Sequence, residues 1–135
     1  MPASARNESH FIYGAPVLAA CAGVVARVKD GVDDNTGHTM NVSAENGRGN
    51  AIDIDCGELR LSYSHLKKGS LLVAAGDSVG SGQALAAVGN SGFSEEPHLH
   101  FQAARPTNKG EYIGVAMRFG GVQLTRNSVF EPMSR

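Results

Sequence analysis

NAIDIDCGELRLSYSHL, running from Asn50 to Leu66, alternates apolar and polar residues with a period of two. Successive side chains of a strand leave opposite faces of the sheet, so this period reads as β-structure. Ile52 and Ile54 share one side while Asp53 and Asp55 share the other, the pattern of a half-buried strand. Gly57 and Glu58 supply a two-residue turn. Beyond it, Leu59, Leu61 and Tyr63 alternate with Arg60, Ser62 and Ser64. The stretch predicts an antiparallel hairpin.

The flanking sequence repeats the theme in shorter pieces. PVLAACAGVVARV (16–28) predicts two strands with a break near Gly23, and further strands are expected at 71–74, 84–88 and 98–104. Tyr112 to Arg118 and Gly121 to Thr125 are weaker strand candidates, and no window carries a sustained helical period with caps. Between the first pair and the hairpin lies a long polar loop, 29–49, of a length that is usually functional or mobile. The first ten residues are polar and expected to be peripheral. GAPVLAACAGVV and GSGQALAAVGNSG faintly echo each other, as in folds built from two similar halves. The expected fold is all-β: an antiparallel β-sandwich or barrel-sandwich hybrid in a single domain.

Composition agrees with that reading. A chain of 135 residues fits one domain with one core. Its 17 glycines and 5 prolines are spread along the chain, which argues against a helical bundle and for short strands joined by tight turns. Twelve basic side chains face thirteen acidic ones, a formal charge of −1, so nucleic acid is not an expected partner. The apolar runs are too short to span a membrane, and MPASARNESHF has no apolar core of a signal peptide. Cys21 and Cys56 both sit in apolar patterns. Two buried free thiols are expected ahead of a disulfide, and a structural zinc site is not expected without a CxxC pair.

The chemistry concentrates in PHLHF, Pro97 to Phe101. Residues i and i+2 of a strand project from one face, so His98 and His100 can aim at one site while Leu99 and Phe101 enter the core. Paired imidazoles can bind a metal and move protons beside it. His65 closes the hairpin strand, at a strand end where functional groups collect. His10 and His38 lie in polar segments.

GAPVLAACAGVV, GNAIDIDCGELRLSYSHL and VAAGDSVGSGQALAAVGNSGFSEEPHLHFQ, taken in that order from Gly14 to Gln102, resemble the lysostaphin/LytM-type zinc metallopeptidases. Those are peptidoglycan endopeptidases with an antiparallel β-core, a fold of the duplicated hybrid motif type. The resemblance implies a lead-in at 1–13 and a peptidase-like domain at 14–135. His100 matches the family's zinc ligand, and His65 and His98 match its two catalytic histidines. It further implies a zinc-activated water attacking a peptide bond of peptidoglycan, one histidine taking the water's proton and the other helping stabilise the oxyanion. The implied setting is the cell envelope or the extracellular space.

One departure stands against these matches. The family's other two zinc ligands come from an H-x-x-x-D motif upstream of the G-x-P-V segment, and these residues contain none: His10 is followed by Phe11, Ile12, Tyr13 and Gly14. Relatives with a lead-in like SHFIYGAPV place the motif further upstream. Within these residues His10 is a candidate extra ligand, as are Asp33, Asp34 and His38 of the long loop. The alternative is a non-catalytic LytM domain that binds wall peptide or regulates a partner hydrolase. Lipoyl and biotinyl carriers share the V-x-x-G-D-x-V-x-x-G-Q turn, but no lysine sits where they carry the modified one.

Overall fold

The computed structural model describes residues 6–36, 40 and 42–115. Eight strands form: β1 (Pro16–Leu18), β2 (Gly23–Lys29), β3 (Asn50–Cys56), β4 (Leu59–Leu66), β5 (Ser78–Val79), β6 (Ala84–Ala87), β7 (His100–Pro106) and β8 (Tyr112–Val115). The expected hairpin is the centre of the fold. β3 and β4 pair antiparallel about Gly57-Glu58 and lie inside a six-stranded sheet of order β5-β2-β3-β4-β7-β8. The echoing segments meet each other: β1 pairs with β6 in a two-stranded sheet, Val17 opposite Ala86. Every pairing is antiparallel, and the fold is all-β in one domain. No helix among the described residues is long and apolar enough to cross a membrane.

The core follows the alternation. Ile52, Ile54, Leu61 and Tyr63 of the hairpin are buried with Val17, Leu85 and Ala86 of the smaller sheet. Tyr63 stacks on Phe101, ring centroids 4.9 Å apart, and its hydroxyl accepts the Ala20 N–H at 3.0 Å. Burying such side chains, at about 1.5–3 kcal/mol each, holds the two sheets face to face.

Four expectations are corrected. Residues 71–74 form no ladder: Leu71 and Val73 pack on the core, the Leu72 N–H bonds the Leu85 carbonyl at 2.9 Å, and the strand in this region is β5. The lead-in is not peripheral at Asn7, which is buried in a 3-10 turn, Asn7–Ser9. The polar side of β3 is not solvent-facing at Asp53, which is 2% exposed. Arg27, its partner across β2–β3, and Arg48 both bond it, the latter at 2.7 Å, so the buried carboxylate is compensated.

The last correction concerns sulfur. Cys21 and Cys56 form a disulfide with Cα atoms 6.3 Å apart. The start of β2 presses on the end of β3 because Gly23 has no side chain; a β-carbon there would run into the Asp55 backbone. That contact brings the two cysteines within bridging range. The expected strand at Gly121–Thr125, the end of the 112–118 strand and His38 lie outside the described residues.

Candidate metal and proton-transfer site

The site begins with an irregularity in β4. Ile52 stands opposite Tyr63 and Asn50 opposite Leu66, so Ser64 and His65 together face Ala51 alone. Such an extra residue is a β-bulge, which re-aims a side chain. A regular strand would leave His65 on the core side with Tyr63. Instead His65 takes φ +62°, the one positive φ outside glycine among the described residues. A non-glycine residue there is strained by about 1–3 kcal/mol.

Neighbouring loops hold the strained residue in place. The His65 N–H donates to the Arg48 carbonyl at 2.8 Å, and its own carbonyl accepts the Gly89 N–H at 3.1 Å. Beneath it lies Ser91, fully buried. Its hydroxyl donates to the Leu66 carbonyl at 2.7 Å and accepts the Asn50 N–H at 3.0 Å. Glycine is required where the two loops meet: β-carbons on Gly49 or Gly92, both at positive φ, would collide with the opposing backbone. Asn50 completes the seam, donating to the Val32 and Leu66 carbonyls and accepting the Val32 N–H.

Three of the five histidines converge here. His100 opens β7 opposite Ser64. His98 precedes the strand, oriented by the loop and not by a ladder: its Nδ1 lies 3.0 Å from both the Ser94 hydroxyl and the Glu96 carbonyl. Ring centroids are 4.7 Å apart for His65–His98 and 5.8 Å for His65–His100. One ring nitrogen from each of the three can be chosen so that all lie within 4.8 Å of one another. His10 is not among them; it ends the 3-10 turn, its N–H on the Asn7 carbonyl. Asp33 pairs with Lys68, and Asp34 accepts the Asn90 N–H at 2.8 Å, tying the long loop to the Gly89–Gly92 segment.

Electrostatics favours neutral imidazole at His65. Burial pushes its pKa below the usual 6.5; the Ser91 carbonyl opposes this, and His98, His100 and Arg48 push it further down. The Ser91 carbonyl, 2.7 Å from Nδ1, can only accept. The proton therefore sits on Nδ1, and Nε2 keeps its lone pair. His100 Nε2 lies 3.1 Å from Gln102 Oε1. A cavity of about 480 Å³ lined by Arg48, Ser64, His65, Phe93, His100 and Gln102 opens beside the cluster. A larger depression of about 610 Å³ runs along Asp30, Asp33 and Asn35 and includes none of the three histidines.

The sequence singled out His65, His98 and His100 but not Ser91, Ser94, Asn90 or Arg48. The first three of these lie in and just after the GNSG turn, where a run of small polar residues reads as loop and gives no sign of burial.

Peptidase family M23 has a family model that matches residues 10–114. The chain belongs to peptidase family M23. Solved structures of similar fold bear this out. The catalytic domain of the antimicrobial peptidase lysostaphin from Staphylococcus simulans is 26% identical with a TM-score of 0.53, the match covering 76% of this chain and 68% of that one. A variant of the catalytic domain of the prophage-encoded M23 protein EnpA from Enterococcus faecalis shares the fold at 24% identity and a TM-score of 0.56, over 75% of this chain and 67% of that one. A zinc-containing peptidase from Vibrio cholerae is 26% identical with a TM-score of 0.55; the match covers 78% of this chain but 27% of that one. Among curated protein sequences none matches. The M23 assignment supports a hydrolase of the peptidoglycan-degrading kind.

Proposed function

We propose that this M23 domain is a zinc metalloendopeptidase that hydrolyses peptide bonds of peptidoglycan, acting at the cell envelope or outside the cell. The observation that carries the reading is the convergence of three imidazoles, ring nitrogens within 4.8 Å, beside an open cavity. Their chemistry suits a zinc site in which one imidazole ligates the metal, at about 2.0–2.1 Å, and the others move protons beside it. His100 is the metal ligand; His65 and His98 handle protons. A bound zinc would supply a Lewis acid and a water acidified toward a pKa of about 7.

The chain's own residues set how the proton moves. His65, neutral and protonated at Nδ1, offers Nε2 to receive a proton from the attacking water. Accepting it makes an imidazolium, which can then donate to the leaving amine. As a neutral ring whose one proton, on Nδ1, is donated to the Ser91 carbonyl, His65 cannot also donate to an oxyanion. The bulge holds this ring against His98 before substrate arrives, so little reorganisation is needed during reaction.

A second reading, a domain that binds wall peptide without cutting it, is favoured by one observation. These residues carry His100 but no H-x-x-x-D motif. The test is digestion of purified peptidoglycan by the chain with added zinc, reading new amino termini. New termini that disappear with chelator and in His100→Ala support the peptidase. Peptidoglycan binding without new termini supports the second reading and overturns the first.

A further inference from the structure

Behind His98 runs a line of buried amides that the reaction as written leaves unused. Asn7, Asn35, Asn90 and Ser94 are all buried, Asn90 at 1% and Ser94 at 2% exposure. Such groups are costly to bury unless each is bonded, and each is. The Asn35 carbonyl can only accept, and it faces Asn7 Nδ2 at 2.7 Å and Asn90 Nδ2 at 3.1 Å. That fixes the orientation of both amides. Asn7 Oδ1 then accepts the other Asn90 proton at 2.9 Å, and Asn90 Oδ1 is left facing the Ser94 hydroxyl at 2.6 Å.

The direction of the chain follows from counting protons. Ser94 has one proton and two acceptors in reach, Asn90 Oδ1 at 2.6 Å and the Glu96 carbonyl at 2.9 Å. The third neighbour, His98 Nδ1, also faces the Glu96 carbonyl, which can only accept, so the ring nitrogen supplies that hydrogen and the serine proton goes to one of the two oxygens. His98 Nδ1 therefore meets two acceptors, Ser94 Oγ and the Glu96 carbonyl, both at 3.0 Å. It must carry the hydrogen.

We propose that Ser94, facing an Asn90 amide whose orientation the Asn35 carbonyl fixes, is a positioning residue that fixes His98 as the Nδ1–H tautomer. This rests on the peptidase reading for its use but not for its test. In the neutral ring this tautomer leaves the lone pair on Nε2, the nitrogen not engaged by Ser94 and Glu96. Asn7 lies in the segment preceding the β-core, so the lead-in takes part in the site through its side chain.

The experiment is long-range ¹⁵N–¹H correlation of the histidine rings in the metal-free full chain, at a pH where the imidazoles are neutral. His98 is expected to show a protonated Nδ1 and an unprotonated Nε2. Ser94→Ala removes one of the two acceptors and should move the tautomer ratio toward Nε2–H by about fivefold, the equivalent of one ordinary hydrogen bond; Ser94→Thr should restore it. Asn7→Ala should leave the ratio near its original value, because the Asn35 carbonyl still fixes the Asn90 amide. A merely structural role would lower the melting temperature of Ser94→Ala and leave its ratio alone. An Nε2–H tautomer in the unsubstituted chain, or an unchanged ratio in folded Ser94→Ala, overturns the proposal. Peptidoglycan digestion enters none of these readouts, so failure of the peptidase reading would be seen separately.

Discussion

The two ends of the β3–β4 hairpin are built on opposite principles. At the turn end, pairing runs in register from Ile54↔Leu61 to Cys56↔Leu59. Asp55 and Arg60 face each other across it at 2.9 Å, and the disulfide ties Cys56 to Cys21. At the other end the ladder is broken by the bulge, His65 is strained, and buried polar groups surround the core residue Leu66. The turn end satisfies its backbone by regular pairing with adjacent strands and needs no irregular segment. The open end needs four: the 30s loop, Arg48–Asn50, Gly89–His98 and the lead-in at Asn7. Irregularity is confined to the end where the histidines must converge. A regular ladder would have sent His65 into the core.

The sharpest way to break this contrast is His65→Gly. Glycine adopts φ +62° without strain, so the variant should keep or slightly raise the melting temperature. It should also lose peptidoglycan hydrolysis by about 10²–10⁴-fold, the usual contribution of a positioned acid-base group. Loss of fold with loss of activity would show instead that the His65 ring holds the open end together.

The turn end should respond in the opposite sense. Reducing the Cys21–Cys56 bond opens a loop of sequence separation 35 and should lower stability by about 2–4 kcal/mol, measured by urea unfolding with and without reductant. Hydrolysis per folded molecule should stay the same, because neither cysteine lies in the group of histidines. A fall in specific activity under native conditions would couple the two ends and weaken the comparison.

The same contrast explains what could be read from the sequence. The turn end was legible because Ile52, Ile54, Leu61 and Tyr63 obey a two-residue period, and period and turn chemistry are local. The three histidines were legible through the family resemblance and, for His98 and His100, through spacing. The bulge was not, since nothing in YSHL distinguishes a strained His65 from a regular strand residue; its φ is imposed by Arg48 and Gly89, 17 and 24 residues away in sequence. Asn7, Asn35 and Asn90 look like surface residues singly and become a buried network only when three distant segments meet. The disulfide was hidden for a similar reason. It depends on the close approach of Gly23 to Asp55, a tertiary contact with no local signature.

Asp53 stands between the two ends and gives the subtlest test. Burial by itself would raise its pKa, but the Arg48 guanidinium, with help from the Ser62 hydroxyl and Arg27, outweighs burial and holds the pKa below the usual 3.8. A carboxyl group depressed in the folded state takes up protons more readily when the chain unfolds. Its contribution is therefore complete above pH 3.8 and is lost as pH falls below that value, through the folded pKa. Arg48 connects this charge to the open end: it bonds Asp53 through both terminal nitrogens, Ser64 through Nε, and His65 through its carbonyl. Protonating Asp53 should consequently loosen the open end before the turn end, which keeps its disulfide. Amide hydrogen exchange below pH 3.8 should rise first at Gly49, Asn50 and His65, with Ile54 and Leu61 still protected, and Asp53→Asn should show the same pattern at neutral pH. Equal exchange at both ends would mean that the hairpin opens as one unit, and that its irregular end is no weaker than its regular one.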